Sequence, residues 1–242
     1  MSNRTLAIRA ALVIGTLVLG GIAYAFGIQV AEDRTGVDTN PSPTATAAKA
    51  ISTTGWERFE DENAKMELSH PPEWRRLEDN SSRPLNETDS DDPINVRAVL
   101  GPNANNPMLL VRAIPLPAEI GIPEEITEEF LGVIQGQLDE LIQGPDVVVA
   151  DKRPTNHKGK LAWRYLYNFK DQATGREGSH VHYFIFDGAK INVLVFQALP
   201  AGELRELAPT FDKVLETFES EARIIPRTVV SLPPSPSPSP AG

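Results

Sequence analysis

His180 and His182 stand two apart in the run Gly178-Ser179-His180-Val181-His182-Tyr183, so on a β-strand both imidazoles leave the same face. Two neutral imidazoles at that spacing can share a zinc ion, but a site needs at least one further ligand. His70 and His157 have no sequence relation to the pair, so the expectation is two half-exposed strand residues and no metal centre. Asp89-Ser90-Asp91-Asp92 resembles half of a calcium loop, without the glycine and distal glutamate such a loop requires, and reads as a solvated acidic loop. Glu124, Glu125, Glu128 and Glu129 fall where a helix begins, and the helix dipole accounts for them without any acid–base pair. Ser179 beside His180 is no nucleophile elbow, because the second glycine is missing and strand neighbours point to opposite faces. Gly15, Gly20 and Gly21 belong to an apolar N-terminal run, not to a phosphate-cradling loop. Trp56, Trp74 and Trp163 are expected to pack in the core rather than line a ligand groove. The expectation is therefore no catalytic, cofactor-binding or metal-ligating residue and no cofactor.

Composition narrows the function classes further. The chain has 242 residues, a formal net charge of −10 and no cysteine. Without cysteine there is no disulfide, thiolate metal site, thiol nucleophile or lipid attachment through an N-terminal cysteine. In residues 1–50, Arg4, Arg9, Arg34 and Lys49 outweigh Glu32, Asp33 and Asp38 by +1. Arg227 adds +1 after residue 223, which leaves −12 on residues 51–223. A domain that acidic is repelled by phosphate backbones, so no nucleic-acid partner is expected.

Ala10 to Ile28 is a run of nineteen residues without a charge, close to the roughly 20 that cross a bilayer as a helix. Arg4 and Arg9 precede it and Glu32 and Asp33 follow, a bias that places the N-terminus in the cytoplasm and everything after Val30 outside. The small-x-small triplet Ala23-Tyr24-Ala25 offers the rival reading of a cleaved signal peptide and a secreted product. The uncleaved anchor is preferred because the apolar run continues through Phe26 and Ile28. The division expected is a membrane anchor or signal segment at 1–30, a flexible linker at 31–52, a globular domain at 53–223 and a Pro/Ser-rich tail at 224–242.

Within the domain the clearest strands are Ala162–Phe169, His180–Asp187 and Ile191–Ala198. In the first, Trp163, Tyr165, Tyr167 and Phe169 alternate with smaller or polar residues, the period-2 pattern of a sheet packed on one face. Asp187-Gly188 signals a turn between the second and third. Shorter strands are expected at Trp56–Phe59, Ala64–Ser69, Asn95–Leu100, Met108–Ile114 and Val147–Ala150, with an exposed loop from Glu78 to Pro93. A first helix begins at Pro123, carries the apolar stripe Ile126, Phe130, Val133, Ile134, Leu138, Leu141 and Ile142, and stops at Gly144-Pro145. A closing helix spans Glu203–Phe218, with a break or kink expected near Ala208 because Pro209 interrupts it. Strands joined by short turns pair antiparallel, so the fold class is α+β, an antiparallel sheet sandwiched with helices and preceded by one N-terminal transmembrane helix.

With these residues in place, the domain resembles the Mog1/PsbP-like fold family. The features that carry the resemblance are Phe59, the Met66–Leu68 strand running into Pro72-Glu73-Trp74, the helix with Phe130 and Leu138, the aromatic strand Trp163-Arg164-Tyr165, and the terminal Phe211–Phe218 helix. It covers roughly residues 56–219. The resemblance implies a sandwich that works by binding, with no active site to carry over. The function expected is a membrane-tethered, extracytoplasmic, non-catalytic binding or scaffolding domain, not an enzyme, single-pass in the cytoplasmic membrane through residues 10–28 and facing an envelope protein. The alternative is an envelope carrier of a small molecule or lipid, holding its cargo in an apolar pocket between sheet and helix.

Overall fold

The computed structural model describes residues 51–86, 92–104, 106, 108–116, 128–142, 146–170, 175–188 and 190–221. The apolar segment 10–28, the linker up to residue 50, the acidic residues 87–91, the helix start at Pro123, the Gly144-Pro145 stop and the tail from residue 224 lie outside the described residues. Among the described residues no helix is long and apolar enough to cross a membrane.

The elements run β1 (Glu57–Asp61), β2 (Met66–His70), β3 (Arg75–Asp79), β4 (Val96–Gly101), β5 (Leu109–Pro115), α1 (Glu128–Ile142), β6 (Val147–His157), β7 (Lys160–Lys170), β8 (Glu177–Asp187), β9 (Lys190–Ala198), α2 (Leu204–Thr217) and β10 (Glu219–Ser220). Seven strands form one antiparallel sheet in the order β3-β4-β5-β9-β8-β7-β6, and β1-β2-β10 form a small second sheet. One face of the large sheet carries α1, whose Phe130, Ile134, Leu138 and Ile142 interlock with Trp163, Tyr165, Phe184 and Val195. The other face carries α2 and the small sheet, where Phe59, Leu68, Phe211, Val214 and Phe218 meet Ile185, Leu194 and Phe196. The result is the α+β sandwich expected.

Covering both faces corrects the one-sided reading of the aromatic strands. Every residue of β9, and every residue of β8 after Glu177, is buried, as expected of central strands between two layers. Fully burying such apolar side chains contributes about 1.5–3 kcal/mol each.

Other differences follow from where strands sit. The sequence offered Val147–Ala150, yet β6 runs eleven residues and pairs with β7 as far as His157↔Lys160. It is an edge strand, so Asp151 to His157 can be polar and can contain Pro154, which a central strand would exclude. β3 went unseen for the same reason: in Arg75-Arg76-Leu77-Glu78-Asp79 only Leu77 is half-buried, and its last two residues fell inside the expected exposed loop. The β6–β7 turn takes positive φ at both Lys158 (50°) and Gly159 (85°), the conformation that matches hairpin twist. The β8–β9 turn is equally tight, with Asp187 paired to Lys190 and Gly188 at φ 62°. Helix α2 runs unbroken through Pro209, so the expected break is absent. The ring removes one donor, and Arg205, whose carbonyl would have received it, is exposed to water.

Candidate functional site

The two histidines that opened the sequence argument are drawn into the densest part of the molecule. His180 and His182 both project to the α1 side of β8 and both are fully buried, which overturns the expectation of half-exposed residues. The sheet register brings Tyr167 of β7 and Gln197 of β9 opposite His180. A continuous hydrogen-bonded chain results. His180 Nε2 lies 2.9 Å from Gln197 Oε1, His180 Nδ1 lies 2.9 Å from the Tyr167 hydroxyl, and that hydroxyl lies 2.9 Å from His182 Nε2.

One proton arrangement satisfies all three contacts. His180 Nε2–H donates to Gln197 Oε1, the Tyr167 hydroxyl donates to His180 Nδ1, and His182 Nε2–H donates to the Tyr167 oxygen. Both imidazoles are then neutral, and His182 Nδ1 is left as a bare acceptor with no partner among the described residues. The rings are themselves packed: His180 and His182 stack at 5.5 Å, and Phe169 lies 4.1 Å from His180. Burial holds His180 down at about 4 against its ordinary 6.5, with the Gln197 contact opposing. Burial and then the neighbouring His180 hold His182 well below 6.5. Burial also pushes the Tyr167 hydroxyl above its usual range, so it stays protonated.

Chemically, this chain holds neutral imidazoles where solvent does not reach. The other candidates are not brought to it. His70 lies on β2 among the residues packed beneath α2, with Nδ1 3.0 Å from the Pro71 carbonyl. His157 ends β6, where Nε2 lies 3.0 Å from the Phe218 carbonyl. Among the described residues no group of three or more His, Asp or Glu side chains stands close enough to hold a metal ion. Asp92, from the calcium-like run, caps the short helical turn Pro93–Asn95 by accepting from the Ile94 amide at 2.8 Å; Asp89 to Asp91 lie outside the described residues. Ser179 faces the opposite side of β8 and donates to Asn168 Oδ1 at 2.7 Å. Trp74 and Trp163 are core residues, 3% and 1% exposed, and Trp56 is half-buried against the α2-side core. Glu128 and Glu129 open the described part of α1; Glu124 and Glu125 precede it, outside the described residues.

Two charged clusters escaped the sequence reading. Asp61 and Arg97 form a fully buried pair, with Arg97 Nε 2.5 Å from Asp61 Oδ2 and Nη2 3.2 Å from Oδ1. Arg97 also donates to the Ile94 and Arg83 carbonyls, and Asp61 accepts from the Ala64 amide. The pair fastens the β1–β2 hairpin to β4. The buried Lys190 ammonium donates to the carbonyls of Ala64, Lys65 and Glu221, tying the end of β10 to the same hairpin. Beside it an open groove of about 600 Å³ is lined by Glu60, Glu62, Glu67, Glu219 and Glu221 with Lys65. In register, Glu67 stands opposite both Glu60 and Glu219, and Arg58 and Lys158 offset the like charges.

No protein-family model matches the sequence, and no curated protein matches it. Among solved structures, cyanobacterial PsbP from Synechocystis sp. PCC 6803 is similar at 13% identity and a TM-score of 0.45, over 72% of this chain and 98% of its own. LpqN of Mycobacterium tuberculosis, described as involved in cell envelope biogenesis, is similar at 16% and 0.41, over 68% and 90%. The Ran-binding protein Mog1p of Saccharomyces cerevisiae is similar at 11% and 0.40, over 69% and 95%. All three belong to the fold family that the sequence resembles, and at these identities the likeness is one of fold and transfers no residue role to this chain.

Proposed function

We propose that the chain is a membrane-tethered binding or scaffolding domain that works outside the cytoplasmic membrane, held by residues 10–28 and spaced by the linker 31–52. The observation that carries this reading over a carrier is how both faces of the large sheet are filled. Ile134 and Leu138 of α1, and Phe211 and Val214 of α2, are at most 3% exposed and belong to continuous cores. A carrier needs an apolar cavity of roughly 300–1,000 Å³ between such layers. The groove described instead is open and lined mainly by carboxylates, a surface suited to contact with a macromolecule. The imidazoles that could have done chemistry are sealed beneath α1, which favours a non-catalytic role.

Two experiments test the reading. Protease added to intact spheroplasts should remove everything after the linker, and full protection would overturn the topology. Native mass spectrometry of the full-length chain, released from its own membrane, should show the bare polypeptide together with a stoichiometric protein partner. Recovery of the chain loaded with one lipid or small molecule per copy, and no protein partner, would favour the carrier.

A further inference from the structure

The small sheet packs one face and leaves the other open. Phe59, Met66 and Leu68 point into the α2-side core. Side chains alternate along a strand, so Glu60 and Glu67 turn outward. Pairing sets Glu67 of β2 between Glu60 of β1 and Glu219 of β10, a row of three carboxylates across the sheet. Neighbouring strands lie about 4.8 Å apart, so the row spans roughly 10 Å. Glu62 and Glu221 extend it along the groove of about 600 Å³. Like charges directly opposite one another destabilise a sheet, and the described cations offset these only in part. Arg58 pairs with Glu60 and Glu67, and Lys158 with Glu219, while the Glu62 and Glu221 carboxylates enter no ion pair among the described residues.

The chain leaves the sheet at the rim of this face. The Glu221 amide donates to the Lys65 carbonyl, and the Lys190 ammonium holds the Glu221 carbonyl, so residue 222 follows on directly from the groove. The Pro/Ser repeat begins only at Pro233. Residues 223–232 between them are of a different kind. They hold Arg223 and Arg227, the only charged side chains after Glu221, together with five aliphatic residues. Pro226 disfavours a helix there and biases Ile225 toward extended backbone. In an extended segment, residues four apart leave the same side and stand about 13 Å from each other. Arg223 and Arg227 are four apart, a separation close to the span of the glutamate row.

We propose that residues 223–232 are an arm that crosses the outer face of the small sheet from β10 toward β1, with Arg223 against Glu219 and Glu221 and Arg227 against Glu60 and Glu62. Charge and reach identify this occupant. The two cations of the arm meet an acidic face, and the short connection from Glu221 holds them beside it at an effective concentration on the order of millimolar. The pairs are exposed, so salt loosens them. With the arm in place, a cationic partner reaches the carboxylates only by displacing it. The displacement rests on the function proposed above; the contact does not.

The test uses the full-length chain in nonionic detergent. The sequence has no cysteine, so Ser231→Cys takes a single nitroxide label, and its effect on backbone amide relaxation reads proximity. At about 20 mM NaCl, relaxation of residues 60–62 should be enhanced roughly threefold more than in the same labelled chain carrying Arg223→Gln/Arg227→Gln, the bias that two exposed ion pairs supply. The excess should vanish in about 0.5 M NaCl and in Glu60→Gln/Glu62→Gln. Residues 128–142, across the large sheet, should show no excess. Equal enhancement with and without the two arginines, or an excess that persists in high salt, would overturn the contact. So would an excess seen only when spin-labelled chains are mixed with isotope-labelled chains that carry no nitroxide, because the arm would then belong to a second copy. Added decalysine should abolish the excess, and an excess that survives saturating decalysine would overturn the displacement.

Discussion

Replacing Asp61 by Asn tests how far the buried Asp61–Arg97 pair fastens the small sheet to the large one. Both side chains are 0% exposed. Asn keeps an oxygen for the Ala64 amide, which Asp61 Oδ1 accepts at 2.8 Å, and keeps the volume, so the change isolates the charge. Arg97 retains the Ile94 and Arg83 carbonyls at 2.9 and 2.7 Å, but its guanidinium is left in the core without a counter-charge. Breaking a buried pair in this way costs about 3–5 kcal/mol, out of a total stability on the order of 5–15 kcal/mol. For a domain of this size that lowers Tm by roughly 6–20 °C. The assay is urea unfolding followed by circular dichroism, with Asp61→Asn, Arg97→Met and the double variant Asp61→Leu/Arg97→Met. Each single change should shift the midpoint strongly. The double change should lose much less than the sum of the two, because it removes both charges together. A loss below about 1 kcal/mol for Asp61→Asn, or additive single effects, would refute the argument that this pair secures the hairpin.

Trp163→Ala should destabilise the domain by about 3–5 kcal/mol in the same assay, since Trp163 is 1% exposed in the α1-side core; a fold of unchanged stability would show that the ring does not hold the core. Gly178→Ala should cost about 1–3 kcal/mol by overpacking, because a Cβ there would stand 2.3 Å from Phe169 Cζ; the effect should vanish in a Phe169→Leu background. Zinc should leave Tm within about a degree. A site binding the native state would add roughly 2.7 kcal/mol at a hundredfold excess over Kd, and a rise abolished by removing both His180 and His182 would mean that the pair takes a metal.

What the sequence made legible was the middle of the sheet and the two helix stripes. Strands β7, β8 and β9 are long, apolar and bounded by turns, so burial writes itself into their composition. The edge strands β3 and β6 are exposed on their outer side, and nothing forces an alternating pattern on them. The site divides in the same way. Spacing placed His180 and His182 on one face, but only register could supply their partners. One sequence signal reached further than it was taken: a two-residue turn after Asp187 pairs 187 with 190, and counting back then puts Gln197 opposite His180. Tyr167 lies across a longer connection whose length fixes no register. Arg97, set in Val96-Arg97-Ala98-Val99-Leu100, marked itself as a charge in a buried strand, while its partner lies 36 residues away and no local rule reaches it.

Apolar cores fill both faces of the sheet, and the α2 side adds buried charge to its packing. On the α1 side, apolar packing surrounds imidazoles that burial keeps neutral. On the α2 side, Asp61–Arg97 and the Lys190 ammonium are charges already satisfied and shielded from solvent, so salt screens them weakly. The exposed pairs along the groove, such as Arg58 with Glu67, contribute little to stability and are readily screened. Their carboxylates therefore keep the groove acidic, while the framework that presents them rests on the buried pair and on Lys190.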